Sequence, residues 1–233
     1  MALVTHNESI LSLNGILIKL PLKIKEVKYG YLYNSFAVVD ARDMTNVGWT
    51  VPTEEDMQSI QAVLTNNEAF PLMESGTEYW SDNVGTNILG FNARGAGSNN
   101  GGIISFSDLN ESLGLRTKTN GFFGYRSYVI KSEFGYNFVD DFRNENDIVG
   151  YSVRLRKIST SLSNGQVGSY SGNDGTSYPT ICINGIEWLS CNLAETKYRN
   201  GDEIPTETNE TAWENLSTGA KCAYNNDESN VFI

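Results

Sequence analysis

The sequence predicts an α+β fold, with loop-rich antiparallel sheets, one clear helix at about 53–66 and one short helix at about 208–216. Three observations predict it. Glycine occurs 22 times in 233 residues, and Asn and Ser crowd the same stretches, the composition of a chain full of turns. Between Gly121 and Asp140 the aromatics Phe122, Phe123, Tyr125, Tyr128, Phe134, Tyr136 and Phe138 are spaced as in a hairpin of half-buried strands. Clear helical signals occur in one place, after Pro52-Thr53.

Residues 1–27 read as a separate arm. Ile10-Leu11-Ser12-Leu13 and Ile16-Leu17-Ile18-Lys19-Leu20 flank Asn14-Gly15, which signals a hairpin on a two-residue turn. An isolated hairpin is marginal in water, so its apolar residues need something to dock on. Either the arm packs on its own domain, or it is a docking segment for another subunit or a larger assembly. In the helix, Thr53 is the N-cap and Asp56 its box-like partner. Met57, Ile60, Val63 and Leu64 fall on one face, which is expected to be core, and Asn66-Asn67 ends it. In the short helix Trp213 and Leu216 share a side.

Residues 84–110 are dense in Gly and Asn, which favour turns and positive φ. Gly95-Ala96-Gly97 is not a dinucleotide fingerprint, because no strand–turn–helix surrounds it. Ile103-Ile104-Ser105-Phe106 reads as a strand, as do Tyr151, Val153 and Leu155. Arg154, Arg156 and Lys157 are expected to form a solvated strand end. Residues 158–176 read as a flexible Ser/Gly/Asn linker with a reach of about 24 Å. The tail, 177–233, has too little surface to bury alone. Ile181, Ile183, Ile186, Trp188 and Leu193 must meet the 28–157 segment, within one chain or across two.

Net charge is −11, which argues against a nucleic-acid partner, since phosphate binding needs clustered cations. Cys182, Cys191 and Cys222 lack CxxC spacing, so zinc is not expected, and buried free thiols are. The run Ile10–Leu22 is broken by Ser12, Asn14 and Lys19 and is too short for a membrane span. The first residues carry no cationic-then-apolar leader, so the chain is expected to stay in the cytosol that makes it or to leave by lysis.

Three groups of motifs carry a family resemblance. Tyr29-Gly30-Tyr31-Leu32-Tyr33-Asn34, Gly48-Trp49-Thr50-Val51-Pro52-Thr53-Glu54-Glu55 and Gly150-Tyr151-Ser152-Val153-Arg154-Leu155-Arg156 form one group. Ile183-Asn184-Gly185-Ile186-Glu187-Trp188-Leu189 with Asn192-Leu193, then Tyr198-Arg199-Asn200-Gly201, form the second. Gly219-Ala220-Lys221-Cys222-Ala223-Tyr224-Asn225-Asn226-Asp227 is the third. Together they resemble the Fibrobacter succinogenes major paralogous domain family, similar in fold to C-type lectins. In that family the last two groups precede the first. The resemblance therefore implies that residues 28–157 are the back half and 177–233 the front half of one C-type-lectin-like domain. It is circularly permuted or completed by a neighbouring chain.

Little points to catalysis. His6 is the one histidine, so no Ser-His-Asp or Cys-His arrangement can be built. The fold implied is also similar to that of formylglycine-generating enzymes, but no matching motif surrounds the three cysteines. Carboxylates cluster at Asp140-Asp141 with Glu145 and Asp147, at Asp202-Glu203, and at Asp227-Glu228. They lack EF-hand spacing, and the calcium-lectin triplets are absent; Trp80-Ser81-Asp82-Asn83 is a faint echo. Solvated acidic loops are expected in preference to a calcium site, and no cofactor or metal is expected. Aromatic rings on a β scaffold suit sugar or protein recognition, which makes Tyr79, Trp80, Tyr125, Tyr128 and Tyr136 the candidate ligand-binding residues. Trp49 and Trp188 are expected to be structural. The functional expectation is a non-enzymatic virion protein: a phage head-decoration, fibre or tail-associated subunit. It would be homo-oligomeric, bound to other virion proteins through residues 1–27, with its lectin-like domain facing a host-surface glycan or protein. The alternative is a bacterial surface adhesin or glycan-binding module.

Overall fold

A computed structural model describes residues 8–13, 16–21, 26–101, 106–122, 124–141 and 147–233. The arm forms the expected hairpin. β1 (Glu8–Leu13) pairs antiparallel with β2 (Ile16–Pro21), from Glu8 opposite Pro21 to Leu13 opposite Ile16. Its turn, Asn14-Gly15, and His6 lie outside the described residues. Then come β3 (Leu32–Tyr33), α1 (Ser35–Val38), β4 (Trp49–Thr50) and α2 (Glu54–Gln61). β5 (Ala96–Asn99), β6 (Phe106–Leu109), β7 (Ser112–Asn120), β8 (Tyr125–Lys131) and β9 (Asn137–Asp140) follow. The chain continues through β10 (Arg156–Lys157), β11 (Val167–Ser171), β12 (Ser177–Ile183), β13 (Ile186–Leu189), α3 (Glu210–Glu214) and β14 (Lys221–Cys222). The fold is α+β and loop-rich, its mostly antiparallel sheets accompanied by three α-helices among the described residues.

α2 starts where its box predicts. The Thr53 hydroxyl accepts from the Asp56 N–H, and the Asp56 carboxylate accepts from the Thr53 N–H at 2.8 Å. Met57 and Ile60 are fully buried. The helix stops at Gln61, not at 66: Leu64 is extended and Asn66 and Asn67 take positive φ, so the last expected turn unwinds and leaves Val63 exposed. α3 is likewise shorter than expected, capped by Asn209, with Trp213 buried.

Two five-stranded sheets organise the rest. One has the order β6-β5-β7-β8-β9, and the other β11-β12-β13-β10-β4. The aromatic hairpin is β8–β9, joined to β7. Part of the 103–106 strand falls outside the described residues; its observed portion begins at Phe106. Residues 150–155 do not form the expected strand. They cross between sheets by single bridges, Gly150 to Asn99, Tyr151 to Tyr33 and Ser152 to Leu115, and the ladder begins only at Arg156.

The basic trio is not a solvated strand end. Arg154 is wholly buried, Arg156 meets Asp56 at 2.9 Å and Lys157 meets Glu187 at 3.1 Å. Nor is 158–176 a featureless linker. Val167–Ser171 is a strand paired with Ser177–Ile183 across a tight reversal. Carboxylate acceptors fix that reversal: Glu195 accepts the Asn173 and Asp174 N–H groups, and Asp174 the Thr176 N–H. The composition resembled a linker because Gly, Ser and Asn also serve such loops.

Within the chain the tail builds on the 28–157 segment. β13 and β4 both pair with β10, β14 pairs with β3, and Val27 bridges Phe232. One core joins Trp188, Trp213 and Cys222 to Met57, Trp80 and Leu115. A second joins Tyr178, Leu189, Tyr198 and Val231 to Trp49, Val51 and Leu155. Arg154 ties these parts together. It donates to the carbonyls of Phe91, Asn92 (2.7 Å) and Leu189 (3.1 Å) and to Asn192 Oδ1 (2.8 Å), its guanidinium over the Phe91 ring. Burial pulls its pKa down to about 9, which leaves it charged at neutral pH.

Candidate functional site

Four of the five aromatic candidates are core residues. Trp80 is fully enclosed and its indole N–H donates to the Ala93 carbonyl at 2.8 Å. Tyr136 takes positive φ, with its ring against Trp80 and Phe70 and its hydroxyl on Asp82 at 2.9 Å. Tyr128 is buried against Phe138. Tyr79 is sandwiched, with Tyr29 packed edge-on and the Arg94 guanidinium 3.9 Å from its ring centre. None of these rings presents a face to a ligand. The sequence could not distinguish them, because three of the four lie outside strands, Tyr79 and Trp80 in a bend and Tyr136 in a turn, where spacing carries no sign of which side is covered.

Tyr125 is different. It is half-buried at the start of β8 and lines an open cavity of about 380 Å³ with Asp40, Asp43, Thr50 and Lys118. The Lys118 ammonium donates to the Thr50 hydroxyl at 2.6 Å. Asp40 is paired with Arg42 at 2.8 Å, and the hydrogen bonds from Arg42 hold its carboxyl below the usual range. The cavity therefore offers one ring, one cation and fixed carboxylates, the components that orient a polar ligand. Phe122 stands at the tip of the β7–β8 turn, 88% exposed, three residues before Tyr125. Sequence reasoning missed Lys118 and Asp40, since the bond from the Lys118 N–H to the Pro52 carbonyl, distant in sequence, sets Lys118 beside Thr50.

A second cavity, of about 470 Å³, lies between β11–β12 and the segments carrying Asn92, Arg94 and Glu26. Ser169, Pro179 and Cys191 are among its walls. Arg94 is nearly buried. It grips Glu74, meets Glu26 at 3.0 Å, and donates to the carbonyls of Val27 and Lys28. Its charge is already spent within the protein.

The acidic clusters are committed to the fold. Asp140 meets Arg126 at 2.7 Å, Asp141 accepts from the Tyr151 hydroxyl and Asp147 from the Tyr125 N–H. Asp202 pairs with Arg42, Asp227 caps a 3₁₀ turn and Glu228 accepts from the Tyr31 hydroxyl. Glu145 lies outside the described residues. Asp202, Glu203, Asp227 and Glu228 sit on exposed loops, whereas Asp140, Asp141 and Asp147 are half-buried anchors where a solvated loop was expected. Among the described residues no group of three or more His, Cys, Asp or Glu is placed to hold a metal ion. The three cysteines are free and buried. Burial pushes Cys191 up to about 11, Cys222 up to about 12 and Cys182 upward, all away from thiolate reactivity.

Glu195 is the most perturbed carboxylate. It is fully buried and accepts four backbone N–H groups, from Asn173, Asp174, Thr196 and Lys197. Burial and the neighbouring Asp174 push it up to about 7, against those donors. Glu187 goes the other way. Burial opposes its charge, but the Thr160, Thr180 and Lys157 hydrogen bonds prevail and lower it.

The model of the Fibrobacter succinogenes major domain matches residues 17–157, more than half of the chain. The chain belongs to that family. This family member matches none of the curated proteins and none of the solved structures. The matched span ends at β10, so β11 to β14, which complete the second sheet and pair with β3, lie beyond it. No helix among the described residues is long and apolar enough to cross a membrane.

Proposed function

We propose that this chain is a non-enzymatic structural and recognition subunit of a virion, of the phage head-decoration, fibre or tail-associated kind, assembled in the host cytoplasm. The observation that carries the reading is the division of labour in the chain. Residues 27–233 share packed cores, while β1 and β2 form a sheet of their own, pairing with no further strand among the described residues. Such a hairpin is marginal alone and suits an anchor on an assembly, leaving the acidic, loop-rich domain displayed. In this reading the domain is C-type-lectin-like, its family halves in permuted order. The tail's pairing with β3 and β10 supports that reading. Mass spectrometry of purified particles from the producing culture is the test. The chain should co-purify at fixed stoichiometry and lose incorporation when Leu11→Asp and Ile18→Asp are introduced together. Particles free of the chain would sink the proposal.

One observation favours a second reading, a glycan-binding module on a bacterial surface: the Tyr125 cavity, with an aromatic ring beside Lys118 and Asp40. On a glycan array the parent should bind a defined sugar, and Tyr125→Ala should weaken it about tenfold, one stacking contact's worth. An array with no binder would remove this reading.

A further inference from the structure

The second sheet ends at β11, and that edge is open. The Cys182 N–H donates to the Gln166 carbonyl, so the ladder turns the peptide groups of Gly168 and Tyr170 toward β12. Those of Val167, Ser169 and Ser171 point the other way. The Ser171 carbonyl accepts from the Asn46 side chain. Among the described residues no hydrogen bond meets the outward groups of Val167 and Ser169. Val167 is also 74% exposed. Native edges are protected by lysine, proline, bulges or covering loops, yet this strand reads Val-Gly-Ser-Tyr-Ser, with no charge and no proline. Beside it lies the 470 Å³ cavity, which has Val27, Tyr178, Pro179 and Cys191 among its walls. An open edge next to a pocket for side chains is the geometry that accepts an added strand.

We propose that the β11 edge receives the N-terminal hairpin of a second copy of this chain, in a reciprocal two-fold dimer. Three points select that occupant. The hairpin is a two-stranded sheet whose outer edges pair with no strand among the described residues, and in Ile10, Leu11, Leu13, Ile16, Leu17, Ile18 and Leu20 it carries the apolar residues that a cavity could take. The root of the hairpin lies beside the acceptor. Pro21 and Glu26 are five Cα steps apart, at most about 18 Å, and Glu26 lines the same cavity as Gly168 and Ser169. Donor root and acceptor edge thus share one face, so a two-fold axis there satisfies both arms at once and closes the assembly. Among the described residues of one chain the five-stranded sheet ends at β11 and the hairpin is a separate sheet. The inference deepens the docking role proposed above by naming what receives the arm.

The test is the mass of the full chain in solution. The parent should run at twice 25.8 kDa. Leu11→Asp with Ile18→Asp, and separately Ser169→Pro, should each give the monomer, while Ser169→Ala stays dimeric. Ser169→Pro removes only an outward N–H; should it fail to fold, amide exchange decides. The Val167 and Ser169 amides should be protected in the parent and exchange freely in the Leu11→Asp/Ile18→Asp variant. A monomeric parent, or a dimer indifferent to the hairpin substitutions, overturns the inference. Absence from particles while the dimer persists would count against the virion reading alone.

Discussion

The two five-stranded sheets are built in opposite ways. The β6-β5-β7-β8-β9 sheet draws all its strands from residues 96–140, mostly through neighbouring hairpins. The β11-β12-β13-β10-β4 sheet gathers strands from Trp49 to Leu189, and its link from the central β13 to the edge strand β4 is a two-residue strand, Arg156-Lys157, between Trp188 and Trp49-Thr50. A local sheet repays loop-closure entropy as it forms; a sheet assembled from distant pieces must be held by something else. Here that is the tail and one buried arginine. The first sheet has its own buried cation, Arg116, but this donates to carbonyls nearer in sequence, Tyr125 (2.9 Å) and Val149 (2.6 Å), and stacks on Tyr151.

The comparison breaks most plainly by removing the tail. A chain ending at 176 loses β12, β13 and β14, and with them Trp188, Leu189 and Tyr198 from the two cores. It should lose cooperative unfolding altogether, seen as a flat near-ultraviolet dichroism melt. A sharp transition from this fragment would mean that the tail is dispensable. Next in size is Arg154→Met. It strands three carbonyls, those of Phe91 and Leu189 buried, and the Asn192 side-chain oxygen, at a cost of about 3–5 kcal/mol by urea midpoint. Arg116→Met should cost less, about 2–3 kcal/mol. The reverse order would show that the distant sheet does not depend on its arginine more than the local one.

Legibility in the sequence follows the same division. The arm hairpin, the Thr53–Asp56 box and the aromatic hairpin were visible because each signal lies within a few residues. β11 was not, since Val-Gly-Ser-Tyr-Ser has a loop's composition and becomes a strand through β12. The 150–155 crossing was misjudged for a related reason: alternation of Tyr151, Val153 and Leu155 marks burial, and a chain threading between sheets is buried as a strand is. The candidate site suffered most. Trp80 and Tyr136 face inward because Ala93 and Asp82 are there to bond their polar ends. The Tyr125 mouth needs Lys118 and Thr50, 68 positions apart.

A smaller effect tests the loop that makes β11 possible. The raised Glu195 pKa means that folding favours its protonated form. That contribution is full below about pH 4.5, its ordinary value, and is lost as pH rises through about 7. Between those limits the parent should lose on the order of 2 kcal/mol relative to Glu195→Gln, whose stability has no such slope. Paired urea titrations at pH 5 and pH 8 read the difference. Parallel pH profiles would place Glu195 in the ionised state throughout, held by its four N–H donors.

Smallest is the local signal that the sequence read best. Thr53→Ala removes the acceptor for the Asp56 N–H and half of the capping box, and should cost about 1 kcal/mol. α2 is also tied to the first sheet, by the Glu54 N–H donating to Thr119 Oγ1 at 2.8 Å and by Glu54 meeting Arg126 at 3.0 Å. Amide exchange should therefore quicken at β7 and β8 before it does at β12 and β13. Equal acceleration in both sheets would mean that they open as one unit, and that their different construction leaves no mark on how the domain yields.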